Sequence, residues 1–117
     1  MKKYILSENG DISFFKTLKG LISYIEPIDV KNGEYTLFDS DGRVIKLGVI
    51  KNNDKEKIIA TNTEIKDTKS LYLLLFRLCE YIKEHRRFID KISHIDCNDQ
   101  SLQQMIDILT ELIGFED

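Results

Sequence analysis

A chain of 117 residues, 42% hydrophobic and 32% charged, has the size of one ordinary domain and can bury a core without staples. The single proline and the absence of tryptophan argue against a proline-rich linker, and the apolar content argues against wholesale disorder. A net charge of −3 and a pI of about 5.4 speak against direct nucleic-acid binding, which favours basic domains.

The apolar stretch after Lys2 and Lys3 stops at Leu6 and is followed by Glu8-Asn9-Gly10-Asp11. A secretory segment needs about 7–15 apolar residues there, so none is expected. The longest apolar run, Leu71 to Phe76, falls far short of the ~20 residues of a membrane span. No membrane contact is expected, and the cytoplasm is the expected compartment.

Residues 2–7 suit a short strand, Asn9-Gly10 a turn, and Ile12 to Phe15 a return strand. Thr17 can cap a helix whose Leu18, Leu21, Ile22 and Ile25 share one face, and Pro27 is expected to end it. Gly20 within that helix costs about 1 kcal/mol relative to alanine. A meander follows, with strands over Glu34 to Asp39, Arg43 to Ile50 and Ile58 to Ile65. Ser40-Asp41-Gly42 turns the chain between the first two, and Asn52 to Lys55 reads as a polar loop.

The next helix starts near Thr68 or Ser70 and runs to about His85. It is apolar nearly all round, Tyr81 included, which predicts burial on more than one side. Ser101 and Gln104 have the spacing of a capping box opening the last helix. Leu102, Met105, Ile106, Leu109, Leu112 and Ile113 form its apolar stripe, and Gly114 is its natural stop. Residues 1–117 are therefore expected to form a single α+β domain. Its antiparallel sheet would combine the meander with an N-terminal strand or hairpin, packed by three helices on one side.

No arrangement for catalysis stands out. Cys79, His85, His94 and Cys97 are spaced C-x5-H-x8-H-x2-C, and the first two point to different faces of a helix, unlike paired zinc ligands. Cys97 with His94 and Asp96 lacks an oxyanion loop. The two cysteines are expected as separate reduced thiols in or near the core. Asp39-Ser40-Asp41-Gly42 echoes the start of a calcium loop, but strands flank it and a hairpin turn accounts for it. The basic residues Arg77, Lys83, His85, Arg86, Arg87 and Lys91 are interleaved with Glu80, Glu84 and Asp90, as on a solvated helix face. No catalytic residue, metal site or cofactor is expected.

The charge is unevenly divided. Residues 92–117 contain six acids and no Lys or Arg, a charge of −6, which leaves +3 for residues 1–91. Such a field has a direction and steers charged partners.

Residues 24–47 contain Tyr24-Ile25-Glu26-Pro27-Ile28-Asp29-Val30-Lys31-Asn32-Gly33-Glu34-Tyr35, then Phe38-Asp39-Ser40-Asp41-Gly42-Arg43 and Leu47. This helix end, strand and hairpin, about a fifth of the chain, resembles the small immunity proteins of bacterial polymorphic-toxin and contact-dependent growth inhibition systems. The resemblance implies tight cytoplasmic binding to a cognate toxin domain, often a nuclease and above all a ribonuclease. It carries over no catalytic residues. An acidic inhibitor suits a nuclease because a cleft built for a polyanion is basic. The candidate partner-binding residues are Asp96, Asp99, Asp107, Glu111, Glu116 and Asp117, with Asp39 and Asp41 of the hairpin. The alternative is a regulatory or adaptor domain with a non-toxin protein partner, and a weaker one is a small enzyme using Cys97.

Overall fold

A computed structural model describes residues 2–85 and 94–117. Five antiparallel strands form one sheet in the order β2-β1-β3-β4-β5. Strands β1 (Tyr4–Glu8) and β2 (Asp11–Phe15) form the N-terminal hairpin, and β1 also pairs with β3 (Tyr35–Asp39). Strands β4 (Arg43–Asn52) and β5 (Lys55–Lys66) form a long second hairpin. Among the described residues the helices are α1 (Leu18–Tyr24), α2 (Pro27–Lys31), α3 (Thr68–Glu84) and α4 (Leu102–Ile113), with a 3-10 turn, η1 (Cys97–Asp99). The α+β architecture agrees with the sequence expectation.

The placement of the helices does not. They were expected on one side of the sheet, but they cover both. Ile5, Phe14 and Phe38 pack against α3 and α4 on one face, while Leu6, Phe15 and Leu37 pack against Leu21 of α1 and Ile25 just after it on the other. Neighbouring residues of a strand point to opposite faces. The doublets Ile5-Leu6, Phe14-Phe15 and Leu37-Phe38 therefore place an apolar side chain on each face of three adjacent strands, which only a doubly covered sheet can bury.

Four local differences have physical causes. Pro27 ends no single long helix but opens α2 at its first position, where a missing N–H and a fixed φ are tolerated. Ile25 is extended and separates the two short helices. The expected loop at Asn52 to Lys55 is a two-residue turn, with Asn53 and Asp54 at φ of 53° and 64°. Both residue types tolerate that left-handed conformation, and the turn matches the twist of paired strands. β5 also bulges near Arg43 and Ile45, where Thr63 Oγ1 donates to the Val44 carbonyl at 2.6 Å.

Helix α3 opens on Asp67, whose carboxylate accepts from Ser70 N at 3.1 Å. The Ser70 side chain above all, then this bond, holds the Asp67 carboxyl below its usual range. Both halves of the Ser101–Gln104 capping box are formed, at 3.1 and 2.8 Å. Leu71, Leu75, Met105, Ile106 and Leu109 are fully buried where α3 and α4 meet.

Cys79 of α3 and Cys97 of η1 are joined in a disulfide with Cα atoms 6.3 Å apart, which corrects the expectation of separate reduced thiols. Helical rotation separated Cys79 from His85 but said nothing about a later segment folding back over α3. Residues 95–100 are also held to α3 by Tyr72, which donates to the carbonyls of Cys97 and Gln100 at 3.3 and 2.9 Å. Lys83 donates to the Ile95 carbonyl at 2.5 Å.

Candidate protein-binding surface

Helix α4 buries Met105, Ile106, Leu109 and Leu112 and turns Gln103, Asp107 and Glu111 outward. These three follow one another at four-residue spacing and form a ridge. No basic residue lies on α4, and Asp107 is 68% exposed at its side chain. The ridge opposes the electrostatics of its own helix. Like charges at i and i+4 destabilise by roughly 0.2–0.5 kcal/mol, and an acid near a helix C-terminus meets the negative end of the dipole.

The structure brings the ridge and the β3–β4 hairpin acids together. Gln103 Nε2 donates to the Ser40 carbonyl at 2.6 Å, and Ser40 Oγ accepts from Lys3 N at 3.1 Å. Lys3 Nζ then reaches Asp107 at 2.9 Å, while Lys2 Nζ lies 3.2 Å from Asp39 and 3.8 Å from Asp41. Asp39, Asp41 and Asp107 are thus neighbours, partly neutralised by two lysines.

The other candidate acids have separate placements. Asp39 is 2% exposed, and its carboxylate accepts from Asp41 N and Arg43 N at 2.9 and 3.0 Å, so it holds the hairpin turn. Asp96 caps η1 by accepting from Asn98 N at 2.9 Å. Asp117 receives Lys16 N at 2.7 Å and both Thr17 N and Thr17 Oγ1 at 2.9 and 2.8 Å. The Lys16 amide above all, then Thr17, holds its carboxyl below the usual range. A Cβ at Gly20 would collide with that carboxylate, which gives a reason for a glycine inside α1. Glu116 is exposed, and its N–H donates to the Phe14 carbonyl at 2.9 Å. Asp99 and Glu111 are exposed.

Two apolar side chains expected in the core stand exposed instead. Tyr81 is 50% exposed and stacks on His85 with ring centroids 3.9 Å apart, and Ile113 is 38% exposed. They line a groove of about 540 Å³ with Ile12, Leu74, Arg77 and Leu78. Apolar anchors beside charged residues are the usual content of a protein interface. Periodicity placed both residues in helices but could not show where the neighbouring layer stops.

The sequence also missed a second acidic group. Carboxylate oxygens of Glu8, Asp29 and Glu34 lie within 4.8 Å of one another. A hydrogen bond from Glu34 to Asp29 and the Asp29 charge push the Glu34 carboxyl above its ordinary range. Tyr35 donates to Asp29 at 3.3 Å, and burial raises its phenol.

Cys79 and Cys97 are bonded to each other, so in this state neither is a thiolate ligand or nucleophile. Of the basic residues, Arg86, Arg87 and Lys91 lie outside the described residues, as does Asp90. No described helix is long and apolar enough to cross a membrane. Compared with protein families, curated proteins and solved structures, the chain matches none.

Proposed function

We propose that this chain is an immunity protein that binds a cognate bacterial toxin domain, a basic nuclease and above all a ribonuclease, and neutralises it in the cytoplasm. The observation that carries this is the α4 ridge, where Asp107 and Glu111 stand exposed against the electrostatic preference of their own helix. Ile113 and Tyr81, exposed in the groove on another face of α4, offer a separate apolar contact that charge alone does not supply. A basic cleft meeting this ridge would associate rapidly by steering. The resemblance of residues 24–47 to immunity proteins points the same way. Cytoplasmic thiols are kept reduced, so there the contact between Cys79 and Cys97 would rest on its buried apolar surroundings.

The test pairs the chain with the toxin domain encoded immediately upstream of its gene. Asp107→Lys with Glu111→Lys should slow association and abolish protection of cells expressing that toxin, with circular dichroism unchanged. Raising salt should shrink the difference, since exposed charges are screened over about 8 Å at 0.15 M. Equal association rates at low and high salt would remove the ridge from the contact. A chain that binds a different protein instead would be an adaptor.

A further inference from the structure

Beyond Ile45 the β4–β5 hairpin becomes an arm with one bare face. The register pairs Lys46 with Thr61, Gly48 with Ile59, Ile50 with Lys57 and Asn52 with Lys55. Alternation puts these eight residues on one side of the sheet. It is the side on which α3 and α4 cover Ile5, Phe14 and Phe38 farther along the sheet. On the arm all but Gly48 are exposed, and Ile50 and Ile59 are 43% and 37% exposed. The face contains three lysines and no acid, and none of the three pairs with a described acid. The opposite face differs. Ile58 is buried there, Leu47 and Ala60 pack beside it, and Glu56 pairs with Lys31 of α2.

We propose that this bare face docks onto the acidic α4 ridge of a second copy of the chain. The complement is carried by the same molecule: lysines 46, 55 and 57, flanked by the exposed Ile50 and Ile59, face Asp107 and Glu111. A twofold axis lets each arm meet the other copy's ridge, so one geometry satisfies both contacts and closes the assembly. The molecule is 53 Å long and 27 Å wide, which allows two copies to lie side by side and reversed. Over Lys46 to Asn52 each arm face offers roughly 23 × 10 Å, so two arms and two ridges bury about 900 Å², the size of a weak, transient interface. The pairing is therefore reversible and sensitive to salt. It does not rest on the immunity function. It uses the same ridge, so a toxin and a second copy would compete.

Sedimentation velocity on the purified chain alone tests this, over a concentration series at low and physiological salt. The wild type should shift towards a dimer with concentration, and salt should weaken the shift. Lys46→Glu with Lys55→Glu and Lys57→Glu should weaken pairing at least about tenfold, as should Asp107→Lys with Glu111→Lys. An equimolar mixture of the two variants should recover it, because each reversed arm then meets a reversed ridge. That recovery also shows that both variants fold. Lys46→Gln with Lys57→Gln should give a smaller loss in the same direction. A wild type that stays monomeric at low salt, arm variants that pair as well as the wild type, or a mixture that fails to recover would each overturn the proposal.

Discussion

The β1–β2–β3 half of the sheet and the β4–β5 arm are built from the same secondary structure but differ in burial. The first half is sandwiched, with Ile5, Leu6, Phe14, Phe15, Leu37 and Phe38 all at 2% exposure or less. The arm buries only Ile45 and Ile58, at 3% and 7%, although Val49, Ile50, Ile59 and Ala60 are equally apolar in type. The two regions also differ in charge. Residues 43–66 hold six Lys or Arg and three acids, while residues 94–117 hold six acids and no Lys or Arg. Stability thus concentrates where two layers of helix cover the sheet, and the surfaces free to meet a partner lie where that cover ends.

The largest expected effect tests this division. Leu109 is fully buried between α4 and α3, so Leu109→Ala should cost about 2–5 kcal/mol in denaturant unfolding. Ile59→Ala on the arm should stay within about 0.5 kcal/mol, as surface changes do. Equal losses would show the arm to be as tightly packed as the sandwich.

The disulfide sharpens the comparison within the helical layer. It closes a loop over a sequence separation of 18, for which chain entropy gives about 3 kcal/mol. Cys79→Ala with Cys97→Ala should lower stability by roughly that amount, and reductant should do the same to the wild type. Hydrogen exchange should rise at residues 95–100 and stay unchanged in the arm. A reductant without effect on either would mean that the helical layer does not depend on the bond.

Gly42 sits where the arm joins the sandwich. Its φ is +88°, its carbonyl accepts from Asp67 N at 2.9 Å, and a Cβ there would strike Thr68. Gly42→Ala combines left-handed strain of about 1–3 kcal/mol with that collision. The loss, read by thermal unfolding, should exceed that of Ile59→Ala and fall below that of Leu109→Ala.

The smallest effect depends on pH. Glu34 has a raised carboxyl pKa because of Asp29, so the folded chain holds that proton more tightly than the unfolded one. This contribution favours folding in acid and is lost as pH rises through the raised value. Glu34→Gln should therefore be at least as stable as the wild type at about pH 7 and lose that advantage near about pH 4. A glutamine variant that is less stable at neutral pH would mean that the ionised carboxylate is favourably held.

The acids of the candidate surface were legible as a cluster, but their employment was not. Asp39, Asp96 and Asp117 spend their oxygens on backbone N–H groups, two of these sets within a few residues and one about a hundred residues away. Only folding shows which carboxylates are left exposed. The same holds for Tyr81 and Ile113, whose helical positions were readable while the edge of the layer above them was not.

Sequence by itself determined the elements that rest on local physics. The Asn9-Gly10 turn, the Thr17 and Ser101 caps, the capping box and the Gly114 stop depend on backbone groups within four residues, so short spacings reveal them. The apolar doublets carried the second covered face as well, in a pattern that alternation alone does not report. Tertiary structure decided the pairing of Cys79 with Cys97, the collision that keeps position 20 a glycine, and the union of Asp107 with Lys3. Each joins groups separated by 18 to 104 positions, and no local period encodes such a distance, because the chain closes those loops only when the two faces of its sheet are buried.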